Sequence, residues 1–534
     1  MSTRGPRPRS GRWILSVTLA ALLLDLLAPA FTSAAAVGGE VTVGSSYSDP
    51  ASKAGFAAMM AYCADQTGVV PVIHTYDHAA FQDGISSYLR GTPDDVVTWS
   101  PGERMRDFAA QGLLSDLSDL WASGSWAPFS PALKALSTGY DGRQYLVPTD
   151  EYPWVVLYRK SVFSAHGYGV PATIGDLVAL ASRMQSDGLV PFAYGTREGW
   201  PAMGTFDILD MRMNGYAFHM DLMAGRAKWT DARVASVLRE WATLLAYAQP
   251  NAATRTWQQA VDTLFSGQAG MLFTGTFAAD AATDPAIRAD LGAFPFPLFG
   301  NQWDAEHAID APVDGLVLSR TPANIAGAKA LLSCAATGAA QLRFLATQGG
   351  VLATASDVDT SGYSPLQQKA AAIISSSARV AQFLDRDARS DFAGPNGMQT
   401  FVRDFVTSPD QSVEALQQRI EAFRDALPPF LAATVRVRPA PPAGTITHGT
   451  TATFAATVRP LGPTRAAVRF AVYRRVGLVS RLSFARDVIA DAAGRATLRY
   501  TFGTPGTFYV VARIMPDRTY LGTAFGPPIR YVVR

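Results

Sequence analysis

Cysteine is scarce, with Cys63 and Cys334 alone in 534 residues. A small fold stapled by a disulfide framework is therefore excluded. Neither Cys-x-x-Cys nor His-Glu-x-x-His spacing occurs. His74 and His78 are four apart but lie on a strand-then-loop segment, so no metal site is expected. Gly-x-Ser-x-Gly, the P-loop and Gly-x-Gly-x-x-Gly are also absent, and no catalytic residue or cofactor is expected. Adjacent carboxylates occur at Asp94-Asp95 and Asp150-Glu151. A glycosidase needs two carboxyls facing each other across roughly 5–9.5 Å, whereas neighbours on an extended segment point apart. Beyond the first thirty or so residues no apolar run reaches the ~20 residues of a membrane span.

Charge is also sparse at 17%, against 48% hydrophobic residues, which leaves ample material for large cores and excludes a disordered chain. The net charge of +2 hides unlike parts. Residues 36–431 sum to −13. Residues 432–534 hold fifteen Arg and three Asp, with no Lys or Glu, a sum of +12.

Arg4, Arg7, Arg9 and Arg12 precede an apolar run from Trp13 to Leu24, and small residues follow at 32–36. This is the layout of a cleaved signal peptide spanning 1–36, which predicts an extracytoplasmic protein.

The next stretch alternates strand and helix patterns. Strands are expected at Gly39 to Gly44, Val69 to Tyr76 and Asp95 to Trp99, with helices between and after them. That rhythm predicts an α/β fold with a parallel sheet, whose ligands bind beyond the carboxyl ends of the strands. Cys63 and Cys334 each sit in a helical pattern. An oxidising compartment permits a bridge, but buried free thiols are the favoured reading. A second α/β series runs on to about Leu427. Beyond Pro428-Pro429 the period changes to two. Val468, Phe470 and Val472 alternate with Arg469, Ala471 and Tyr473, which predicts an all-β sandwich of about seven strands.

Ordered pieces along Gly39 to Leu427 carry a resemblance. They are Asp65-Gln66-Thr67-Gly68, Thr92-Pro93-Asp94-Asp95-Val96, Ala109 to Leu114, Asp141 to Pro148, Val156 to Phe163 and Phe265 to Met271. Their shared order and spacing resemble the extracellular solute-binding proteins of carbohydrate ABC importers. The resemblance implies a two-lobed periplasmic binding protein fold (type II) that closes on a sugar and presents it to permease subunits. It also implies lobe one at 37–148 plus 272–340 and lobe two at 149–271 plus 341–427. A linker at 428–444 and a sandwich at 445–534 would follow. Gly494 to Leu498 and Pro505 to Ala512 look like bacterial immunoglobulin-like modules.

Sugar hydroxyls want carboxylates, and C–H faces stack on aromatic rings. Candidate ligand residues are Tyr47, Asp77, Trp99, Glu151, Trp154, Trp200, Phe277 and Asp314. Trp200 leads, in the loop Gly195 to Pro201. Phe277 stands where many relatives have Trp, which leaves the particular solute open. Trp241 falls on helical spacing and reads as core. The basic tail could meet an anionic cell-surface polymer, lipid headgroups or the acidic body of the same chain. A wall-associated glycan-binding or adhesive protein is the alternative reading, and nucleic acid is not an expected partner.

Overall fold

The computed structural model describes residues 38–123 and 129–534, so the expected signal segment 1–36 lies outside the described residues. Among the described residues twelve strands build the body. They are β1 (Gly39–Ser45), β2 (Val69–Thr75), β3 (Val96–Trp99), β4 (Leu146–Glu151), β5 (Trp154–Arg159) and β6 (Val190–Phe192). Then come β7 (Ala269–Gly275), β8 (Leu291–Phe294), β9 (Ile309–Asp310), β10 (Val313–Leu318), β11 (Leu352–Ala353) and β12 (Val380–Ala381).

The first lobe is a six-stranded sheet ordered β11-β4-β10-β3-β1-β2. The opening βαβαβ reading holds, because β1 pairs parallel with both β2 and β3. The sheet is not all parallel, however. Strand β10 returns from the second lobe and enters antiparallel to both β3 and β4. The second lobe carries a four-stranded sheet ordered β6-β7-β5-β8. Residues 272–275 and 291–294, expected in the first lobe, are bonded to β5 in this second sheet. The chain therefore returns to the first lobe later, at Asp310 to Val313. The expected boundary at 272 followed sequence motifs that do not report pairing.

Val41, Val43, Val96, Val97 and Val147 are wholly buried, as strands covered on both faces require. Trp241 is core, packed on Phe405 with ring centroids 5.1 Å apart. The cysteines are not free. Cys63, in the helix Pro50–Thr67, is bonded to Cys334, in the helix Ile325–Ala335. Burial had favoured thiols on sequence, but the two helices pack side by side on the first sheet and bring the Cα atoms to 5.6 Å.

The tail forms two sheets from eight strands among the described residues. They are β13 (Thr434–Ala440), β14 (Gly444–Ile446), β15 (Thr451–Arg459), β16 (Ala467–Val476), β17 (Val479–Ile489), β18 (Arg495–Thr501), β19 (Gly506–Ile514) and β20 (Ile529–Val533). One sheet is β13-β15-β18 and the other β14-β20-β19-β16-β17. Between them lie Phe454, Phe470, Phe502, Val510 and Tyr531. The expected linker 428–444 contains a strand of the sandwich, since β13 pairs with β15 along its full length.

One end of this sandwich rests on the body. Phe430 lies 5.9 Å from Tyr140 of the first lobe, and Arg389 sits over its ring at 4.7 Å. Arg226 donates to the Pro463 carbonyl at 2.7 Å, and Arg518 pairs with Glu421 and Asp425. Part of the tail's positive charge is thus answered by the acidic body.

Candidate ligand-binding site

A cavity of about 120 Å³ lies where the chain crosses between the lobes. The first lobe supplies the segments after three strand ends. These are Ser46, Tyr47 and Asp49 after β1, His78 and Gln82 after β2, and Ser100 and Arg104 after β3. The crossings supply Asp150, Tyr152 and Trp154 on one passage and Pro312 and Asp314 on the other. The second lobe supplies Trp200, Trp257 and Phe277.

Local signals explain these placements. Gly199 takes φ +79°, and Pro201 follows, which starts the helix Trp200–Asn214 with Trp200 at its mouth. Thr256 and Gln259 form a reciprocal capping box that starts the helix Trp257–Phe265, fixing Trp257 at its first position. Trp200 lies 6.4, 6.3 and 6.1 Å from Trp154, Trp257 and Phe277, so these four rings form one aromatic wall. Trp99 packs on Phe108 at 5.6 Å, and the Arg104 guanidinium lies 4.5 Å above its ring. Trp99 and Trp154 are thus both core and lining.

The polar wall is a network around two carboxylates. Asp150 and Asp314 stand opposite each other in the β4–β10 pairing. Tyr47 and Thr149 each donate to Asp150 Oδ1 at 2.9 Å. Burial and the Asp314 charge push the Asp150 carboxyl up to about 7. Burial and Asp150 likewise hold Tyr47 as a protonated donor. Asp314 receives the Ser100 hydroxyl at 3.0 Å, the Tyr152 hydroxyl at 3.2 Å and Arg386 Nη2 at 3.0 Å. Arg386 also donates to the Val313 carbonyl at 2.6 Å and to the Tyr152 hydroxyl at 3.1 Å. Arg104 bonds Asp385 at 2.9 Å and reaches Gln82. Asp385 Oδ1 and Trp99 Nε1, both on lining residues, are buried without a hydrogen-bond partner among the described residues. Such atoms are costly unless something polar meets them.

Six of the eight sequence candidates line the cavity, namely Tyr47, Trp99, Trp154, Trp200, Phe277 and Asp314. Asp77 does not. It is exposed and accepts from the Ala80 N–H at 3.0 Å, capping the helix His78–Arg90. Glu151 does not either. Strand alternation turns it away from Asp150, and burial pushes its carboxyl up to about 7. Sequence reasoning missed Arg104, Trp257, Asp385 and Arg386. The charged run Asp385-Arg386-Asp387 directly after the apolar Phe383-Leu384 was a usable signal for two of them.

Two α/β lobes joined by crossings, with a ring-walled polar cavity at the crossings, define a binding protein of the two-lobed type. Residues 38–342 match the model of the bacterial extracellular solute-binding proteins, and the chain belongs to that family. Among solved structures, the bacterial solute receptor AcbH, described with an exclusive preference for β-D-galactopyranose, is 42% identical. Its TM-score is 0.70, with 72% of this chain and 98% of that chain covered. Among curated relatives, an uncharacterized ABC transporter extracellular-binding protein of Pyrococcus horikoshii is 26% identical over 297 residues. That match covers 55% of this chain and 65% of the relative. The alpha-glucosides-binding periplasmic protein AglE of Rhizobium meliloti is 28% identical over 199 residues, 35% of this chain and 43% of that one. The chain thus spans less than two thirds of the length of these curated relatives.

Proposed function

We propose that this protein captures a monosaccharide outside the cytoplasm and presents it to the permease subunits of an ABC importer. The observation that carries this reading is the cavity lining, where four clustered rings meet a network of Asp150, Asp314, Arg386 and Arg104. Rings match sugar C–H faces, and charge-assisted hydrogen bonds match hydroxyls. Tyr47, Trp99, Trp154, Trp200, Phe277 and Asp314 are the proposed contacts, joined by Asp150 and Arg386. The cavity is small. At about 120 Å³ it holds several times the space one water needs, enough for a small polar solute. The likeness to AcbH supports D-galactose as the first sugar to test.

A ligand touching both lobes favours the closed form by its differential affinity, and that closure is the signal a transporter reads. The function proposed is binding without catalysis. Calorimetry against a monosaccharide panel tests it. Saturable binding of D-galactose is expected. Binding of amino acids or polyamines with no response to any sugar overturns it.

A further inference from the structure

Ten large apolar side chains are exposed among the described residues, and five of them lie on one hairpin of the sandwich. Leu478, at the turn between β16 and β17, is 95% exposed. Val476, Val479, Leu482 and Ile489 are each about half exposed or more. Val476 and Val479 face each other across the two-residue turn Gly477-Leu478.

Arginines surround this tip. Arg474 and Arg481 are directly opposed across the strands just below it, Arg475 is opposite Ser480 beside them, and Arg486 lies farther down β17, opposite Phe470. Like charges placed opposite in a sheet are unfavourable on their own. The domain's own acids do not answer them. Asp487 is opposed to and paired with Arg469, near the start of β16. Asp491 and Asp517 lie in the turns after β17 and β19.

The hairpin also points away from the body. The sandwich touches the lobes through Phe430, Pro463 and Arg518. Strand β16 begins four residues after Pro463 and runs ten residues to the tip, about 30 Å at 3.3 Å per residue. The apolar, cationic end is therefore the one farthest from the lobes.

We propose that the β16–β17 hairpin seats on an anionic lipid surface, with Leu478, Val476 and Val479 in the interfacial region and the flanking arginines on lipid phosphates. Both halves of the tip find a partner there. Apolar side chains leave water, and cations meet headgroup charge. A water-soluble polyanion would satisfy the arginines alone. A second copy of the chain, paired along the open edge of β17, would bring the Arg481 and Arg486 rows of two molecules together. The hairpin would hold the binding lobes about the length of the sandwich above a membrane.

Flotation of the full-length chain with phosphatidylglycerol–phosphatidylcholine vesicles, against phosphatidylcholine alone, tests the proposal. Co-flotation with the anionic vesicles only, lost at high salt, is expected. Leu478→Asp and, separately, Arg481→Glu should each cut the bound fraction about tenfold and leave the melting temperature unchanged. No flotation, or equal flotation of wild type and both variants, overturns the proposal. So does retention on purified wall polymer, or concentration-dependent dimerisation, without vesicle binding.

Discussion

Asp150 and Asp314 oppose each other across β4 and β10, and of the two carboxylates it is Asp314 that pairs with Arg386, at 3.0 Å. The two carboxylates therefore have unlike surroundings. Asp314 has a cation beside it. Asp150 has hydroxyl donors and burial, and its carboxyl is pushed up to about 7.

The fold should be more stable in mild acid than in mild base. Burial pushes Asp150, Glu151 and Asp280 up to about 7 and Asp387 up to about 6, above the ordinary carboxylate range. The folded chain therefore holds protons that the unfolded chain has released. This stability is complete below about pH 4 and is lost as pH rises to about 7, by on the order of 1 kcal/mol per pH unit for each group. Melting temperatures from pH 4 to 8 check the sign, and Asp150→Asn should flatten the slope.

Arg386→Met should weaken both the fold and sugar binding. It leaves Asp314 without its cation in a largely buried site, a loss of about 3 kcal/mol. Denaturant unfolding and calorimetry read the two effects separately.

Trp200→Ala should raise the Kd for sugar about tenfold, since a stacked ring is worth on the order of 1 kcal/mol, with little change in stability. Asp77→Ala should do the reverse, costing about 1 kcal/mol of helix capping with no change in Kd. Exchanged outcomes would place Asp77 in the site and Trp200 outside it.

Gly102→Ala should distort the cavity from outside it. Gly102 takes φ +76°, and a Cβ there would lie 2.5 Å from the Arg386 carbonyl oxygen. A cost of about 1–3 kcal/mol is expected, with weaker sugar binding because Arg386 must move.

Reduction, or Cys63→Ala with Cys334→Ala, should lower stability by about 2–5 kcal/mol. A melting curve with and without reductant measures it.

The opening βαβαβ unit was legible because its valine-rich strands and the amphipathic helix His78–Arg90 carry their own periods. The return crossing was not. Strands β9, β11 and β12 have two residues each, too short for any period, and nothing local marks β10 as antiparallel. The site divided in the same way. Aromatic residues at strand and helix ends announced Trp154, Trp200 and Phe277. For Asp150-Glu151 the sequence offered a pair, and only the β4 pairing decides which member turns to the cleft. Arg386 sits in the four-residue helix Leu384–Asp387, which has no pattern to read. The Cys63–Cys334 bridge joins helices that only tertiary packing brings together.

That bridge joins residues 271 positions apart, and the strands flanking it are just as scattered. The first sheet lacks β10 and β11 until about residue 353 has been made. A ribosome releasing the chain in order therefore cannot complete this lobe early. All four strands of the second lobe's sheet are synthesised before the first lobe can close its core and its crosslink. The lobe that opens the sequence thus stays incomplete until the chain has come back from the second lobe.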